Sequence, residues 1–143
     1  MATFYATTAT DVFNTNPPVK ASPSAHGGGV RCLTDSITYA SQASGSTLVF
    51  GGGYLPVGAR VLYGTLTTSA STGSATVSIG ITGTTAKYKA LAAYTTADVP
   101  LVFGVTAGLN VALTAQEQII ATTGGAALPA SGTLTLSLFY VVD

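Results

Sequence analysis

The chain has 143 residues, the length of one domain, which can bury a hydrophobic core without disulfides or metal ions. Only 7% of its residues are charged, against about 25% in an ordinary soluble domain, and the formal net charge is zero. Nucleic-acid binding needs clustered Lys and Arg, and a membrane helix needs about 18 consecutive apolar residues; the sequence has neither. Because surfaces poor in charge are typical of interface centres, we expect neighbouring molecules to cover much of this one.

Residues 1–29 predict an extended arm that ends in a glycine hinge. The segment "TNPPVKASPSAHGGG" (15–29) holds three of the six prolines, which favour extended backbone. Gly27, Gly28 and Gly29 then permit a sharp change of direction. Large apolar groups are rare in a solvated tail, so we expect those of the arm to bind a partner. The expected anchors are Phe4, Tyr5 and Phe13.

Residues 30–143 predict an all-β domain, an antiparallel, jelly-roll-like β-sandwich of about eight strands. The strongest strand patterns are at 60–69, 74–83 and 132–143, where apolar and polar residues alternate or β-branched residues dominate. Weaker candidates are 31–40, 46–51, 86–91, 99–104 and 117–123. Residues 84–94 also have some helical propensity, but we interpret them as a strand followed by a loop. Strands at this spacing without intervening helices favour a sandwich or barrel.

The alternation also predicts which side chains form the core. Two sets of residues are expected to point outward, namely Thr76, Ser78, Gly80 and Thr82, and Thr133, Thr135 and Ser137. Tyrosines inside strand patterns are expected in the core as well, and these are Tyr63, Tyr88 and Tyr140. The predicted aliphatic core is Leu62, Leu66, Val77, Ile79, Ile81, Leu134, Leu136 and Leu138.

The chemical candidates all have simpler explanations. His26 and the three glycines after it match the HGGG oxyanion motif of some esterases, but the chain has no G-x-S-x-G and no second histidine. A nucleophile set of Cys32, His26 and Asp35 would require neighbours on extended chain to converge. We therefore expect no catalytic residue, and we expect Cys32 to be a small buried hydrophobe.

Metal and phosphate sites are not indicated either. One His, one Cys and five scattered acids give no ligand spacing, so we expect no metal, no cofactor and solvated loop acids. Lys87 and Lys89 are expected on one exposed face of a strand, with Tyr88 on the core side. The glycines at 51–53 lack the Lys-Ser/Thr of a P-loop and predict a turn or bulge.

Three segments resemble a known group of proteins. They are "LPVGARVLYGTL" (55–66), "SATVSIGITGT" (74–84) and "LTAQEQIIATTGGAALPASGTLTLSLFYVV" (113–142). Their order resembles that of small β-rich virion proteins of tailed bacteriophages, often found near the major capsid protein in phage genomes. The motifs are strand and turn signatures, and they do not include residues 1–54.

The resemblance implies a capsid decoration, or cement, protein that binds the major capsid protein on the outside of the virion. It also implies self-association, with a homotrimer expected because cement proteins often occupy three-fold positions. We expect assembly in the host cytoplasm, since the N-terminus shows no secretory signal. Two alternatives stay open: another virion component (tail, neck or head fibre), or a carbohydrate- or receptor-binding β-module.

Overall fold

The computed structural model describes residues 29–51 and 54–142, which form eight β-strands. The predicted arm lies outside these residues except for Gly29, and so do its anchors Phe4, Tyr5 and Phe13 and the hinge residues Gly27 and Gly28. The strands are β1 (Arg31–Thr38), β2 (Thr47–Val49), β3 (Ala59–Thr68), β4 (Thr76–Ile81), β5 (Thr84–Ala93), β6 (Leu101–Phe103), β7 (Ile120–Gly124) and β8 (Thr133–Val142).

The strands form two four-stranded sheets with jelly-roll connectivity. The first sheet has the order β1-β8-β3-β6 and the second the order β2-β7-β4-β5, with every pair antiparallel. Strands β1, β3, β6 and β8 form one sheet and β2, β4, β5 and β7 the other, which is the strand arrangement of a jelly roll. The predicted jelly-roll-like sandwich is therefore confirmed, and so is the strand interpretation of residues 84–94.

The core lies between the sheets and contains most of the predicted residues. Leu66, Val77, Ile79, Leu134, Leu136 and Leu138 are fully buried, and Ile81 and Tyr140 are half-buried against them. The prediction for Leu62 is wrong because β3 bulges there: Val61 pairs with Tyr140 and Tyr63 with Phe139, which leaves Leu62 without an opposite residue. The same bulge turns Tyr63 outward, where it is 40% exposed and stacks on Phe139.

The start of strand β5 lies against the backbone of β4 at Gly80. Its register with β4 shifts twice, and its backbone passes so close to Gly80 that a Cβ there would lie 2.2 Å from the Thr84 carbonyl oxygen. Gly80 is buried under this segment, and Ser78 is buried as well, which contradicts the outward, solvated positions that the alternation predicts. Only a glycine allows this backbone approach without displacing β5.

Candidate assembly interface

The structure separates the two described members of the proposed nucleophile set. Cys32 and Asp35 differ by three positions on β1, and neighbouring residues of a strand point to opposite faces. Cys32 is exposed on the outer face, 3.2 Å from the Thr34 hydroxyl, so its expected burial is wrong. Asp35 accepts 2.8 Å hydrogen bonds from the amides of Gly51 and Ser36, which lower the pKa of its carboxyl. His26 lies outside the described residues.

The Asp35 carboxylate has a structural use. Its bond to Gly51 ties β1 to the end of the β2 segment, where Gly51 has a φ of +86°. This conformation favours glycine and agrees with the turn or bulge predicted at residues 51–53, although Gly52 and Gly53 lie outside the described residues. Asp35 is therefore a strand residue bound to backbone, in contrast to the solvated loop acid that was expected.

The two lysines of the "KYK" segment do not form a basic surface. Lys87 makes an ion pair with Glu117, and the buried Tyr88 donates a 2.6 Å hydrogen bond to the other oxygen of the same carboxylate. Lys89 is only 7% exposed, and its amine donates to the carbonyls of Val77 and Ala90. Burial lowers the pKa of Lys89. The expected exposure of Lys89 is wrong: the register between β4 and β5 shifts on both sides of the Ile79–Lys89 pair, and the Lys89 amine lies 4.9 Å from the centre of the buried Tyr94 ring.

The titratable groups give no metal site within residues 29–51 and 54–142. No group of three or more His, Cys, Asp or Glu side chains in these residues could hold a metal ion. Nor does the described chain contain a helix that is long and apolar enough to cross a membrane. Glu117 binds Lys87 and Tyr88, so Glu117, like Asp35, differs from the solvated loop acid that the sequence predicts.

The outer face of the first sheet carries two rows of hydroxyl groups, which we call the hydroxyl face. Each row crosses β1, β8 and β3: one consists of Thr34, Ser137 and Thr65, and the other of Ser36, Thr135 and Thr67. The hydroxyls of β1 and β8 bond across the strands, at 3.1 Å and 2.9 Å. The face therefore has no charged side chain in these rows, and its side chains are short.

The end of the first sheet at β6 is apolar and exposed. Val99 is 54% exposed, Leu101 44% and Val102 65%. Beside them a cleft of about 200 Å³ opens between the end of β5 and the start of β6, lined by Ala93, Tyr94, Thr95, Thr96, Val99 and Leu101. We call these residues with Val102 the apolar edge. Exposed apolar groups at the end of a sheet are typical of an interaction site.

Comparisons with known proteins identify solved structures that share this fold. No protein-family model and no curated protein matches the sequence. A chain of the cyanophage Pam1 capsid asymmetric unit matches with a TM-score of 0.70 and 20% identity, over 87% of this chain and 93% of that chain. A chain of the Ralstonia phage GP4 capsid matches with a TM-score of 0.65 and 18% identity, over 81% and 86%. The protein shares its fold with these phage capsid chains.

The sequence alone did not predict the hydroxyl face or the apolar edge. Outward Thr and Ser residues were expected on β8, and their half-buried positions in the sheet agree with that. Their alignment with β1 and β3 depends on strand pairing, which the sequence does not show. The apolar edge has a weak sequence signal, since "VPLV" (99–102) has consecutive apolar residues where a half-buried strand should alternate.

Proposed function

We propose that the protein decorates and stabilises a bacteriophage capsid by bridging neighbouring major capsid subunits. The observation that carries the proposal is the eight-strand jelly roll, which it shares with a Pam1 capsid chain over 93% of that chain. The match covers almost the whole of that Pam1 chain, so the two chains share an entire domain fold. The proposed place is the outer surface of the virion, with assembly in the host cytoplasm and no catalytic role.

The hydroxyl face supports a role in contact between proteins. Its side chains are short, and those of β1 and β8 are already bonded to each other, so little side-chain entropy is lost when another surface covers them. Its rows contain no charged groups, so a contact made there would respond weakly to salt. Both properties suit a protein that must stay attached to a particle under varied conditions.

The arm supplies the bridging contact in this proposal. The described chain starts at Gly29, directly before the outermost strand β1, so the arm leaves the sandwich from the side of the first sheet. A Cβ at Gly29 would meet no atom of the described residues within 4 Å, which is consistent with an open connection. Phe4, Tyr5 and Phe13 are the proposed anchors, and burying each contributes about 1.5–3 kcal/mol before the ordering cost of the arm.

The decisive experiment is a binding titration on capsids that lack the protein. We expect saturable binding at one copy per capsid subunit, or at one homotrimer per three-fold position. Deletion of residues 1–25 should leave the sandwich folded and weaken binding at least tenfold, about 1.4 kcal/mol. A triple variant Phe4→Ala, Tyr5→Ala, Phe13→Ala should reproduce the loss.

The matched control changes polar residues of the same arm, with Thr7→Ala, Thr8→Ala and Thr10→Ala, and should bind as the unmodified protein does. Equal affinities for the aromatic and the threonine variants would contradict the role of the anchors. A few copies per particle would instead favour a tail, neck or head-fibre component. Binding to host glycans without capsid binding would favour the carbohydrate-binding alternative.

A further inference from the structure

The apolar edge has the properties of an acceptor for an apolar peptide. Strand β6 is the last strand of the first sheet and pairs with β3 through only Leu101, Val102 and Phe103. The edge of β6 that faces away from β3 pairs with no strand of the described residues, so its backbone groups can accept an added strand. The adjoining cleft has room for one large side chain and is lined by uncharged residues; the charged group next to it in sequence is Asp98.

The N-terminal segment has the complementary composition. Residues 3–13 contain no proline and no glycine, and they are rich in aromatic and β-branched residues, which favours a strand. Asp11 is the only charged side chain among them, so docking on the uncharged cleft would desolvate few charges. Phe4, Tyr5 and Phe13 offer rings of the size that the cleft can hold.

The two features lie at opposite sides of the sandwich. The arm joins β1, and the apolar edge lies at β6, with β8 and β3 between them. At about 4.8 Å per strand, this separation is roughly 14 Å. The chain between Phe13 and Gly29 can extend to about 50 Å at about 3.3 Å per residue, farther than the width of one such domain. An arm can therefore cross from its own β1 side to the β6 side of an adjacent copy.

We propose that residues 4–13 of one copy add as a strand to β6 of a neighbouring copy and place an aromatic ring in the cleft beside Tyr94 and Leu101. The contact joins two different surfaces, so it links copies head to tail and closes into a ring when the rotation permits. This deepens the proposed function, on which it rests for its role at the capsid, by naming a second copy as the arm's partner. The arm then bridges capsid subunits by linking the copies bound to them, and deleting it weakens capsid binding because the linked copies no longer bind together. The contact itself forms in the isolated protein.

A disulfide trap tests the contact in solution. In a Cys32→Ser background, the pair Tyr5→Cys and Val102→Cys is oxidised, and the products are separated without reductant. We expect covalent oligomers in at least tenfold higher yield than from the control pair Tyr5→Cys and Val57→Cys, since Val57 is similarly exposed at 55%. Equal yields from the two pairs, or a monomer closed by an internal disulfide, would overturn the proposal.

A second variant separates this proposal from the capsid role. Val102→Asp should convert the oligomer to monomers in sedimentation, whereas Val57→Asp should not; circular dichroism checks that both are folded. If Val102→Asp leaves the oligomer intact, the acceptor is wrong. If trapped oligomers form but do not bind capsids, this inference stands and the proposed function fails. If no trap forms but deletion of residues 1–25 still weakens capsid binding, the arm binds the capsid and this inference fails.

Discussion

Replacing Gly80 by alanine tests whether β5 really lies against the outer face of β4. The new Cβ would be 2.2 Å from the Thr84 carbonyl oxygen, and 2.6 Å and 2.7 Å from the carbonyl carbon and oxygen of Thr85. All three atoms belong to the backbone, so no side chain can rotate away. Ordinary contacts begin near 3.4 Å, so this part of β5 must move by about 1 Å.

The expected cost follows from three contributions. Overpacking costs about 1–3 kcal/mol, and losing one backbone hydrogen bond between β4 and β5 costs about 0.5–1.5 kcal/mol. The reduced freedom of the unfolded chain offsets about 0.4–1 kcal/mol. We therefore expect Gly80→Ala to lower the free energy of unfolding by about 2–3 kcal/mol, measured by urea denaturation at one fixed protein concentration.

The matched control is Gly29→Ala, because a Cβ at Gly29 meets none of the atoms of residues 29–51 and 54–142 within 4 Å. This variant should change the free energy of unfolding by less than about 0.5 kcal/mol. If Gly80→Ala is as stable as Gly29→Ala, then the backbone of β5 does not lie against Gly80.

Three further changes are expected. Leu136→Ala should cost about 2–5 kcal/mol in urea denaturation, because Leu136 is fully buried opposite Leu66; a loss below about 0.5 kcal/mol would place this face of β8 in solvent. Tyr94→Phe should keep or slightly raise the free energy of unfolding, because the buried Tyr94 hydroxyl has no hydrogen-bond partner among the described residues; a loss above about 1 kcal/mol would reveal one. Burial raises the pKa of Tyr39, Tyr88 and Tyr94, with help from Glu117 at Tyr88, so the unfolded chain releases these protons first once the pH exceeds about 10. The free energy of unfolding should thus be unaffected by these groups below that pH and fall above it, by up to about 1.4 kcal/mol per pH unit for each tyrosine. Urea denaturation from pH 9 to 11.5 should show a smaller fall for Tyr88→Phe than for the unmodified protein. An equal fall in the two proteins would refute the role of Tyr88.

The strands and most of the core could be predicted because they depend on local patterns. Each of the eight observed strands overlaps a predicted one, and the alternation in β8 identified Leu134, Leu136 and Leu138 as buried. The side chains whose burial was predicted wrongly lie at register shifts, which depend on how two strands pair. One bulge exposes Tyr63, and the shifts in β5 bury Lys89, although "KYK" alone predicts two lysines on one exposed face.

The candidate surfaces were less predictable for the same reason. The hydroxyl face needs Ser137 beside both Thr34 and Thr65, residues that are distant in the sequence. The exposure of Val102 depends on β6 being the last strand of its sheet, which is a property of the topology. Composition predicted that the surface would be poor in charge, but it could not say where an interface lies.

The central place of β8 has a consequence for how the protein is made. Its ten residues lie between β1 and β3, and Arg31 of β1 pairs with Tyr140 of β8 across about a hundred residues of chain. During translation, β1 and β3 therefore cannot pair with β8 until β8 has emerged from the ribosome. Pairing over such distances is slow, on the order of milliseconds to seconds, so the first sheet forms only after synthesis of this region is complete. Until then both strands have exposed edges, and a chain that stalls before β8 is a substrate for chaperones and proteases.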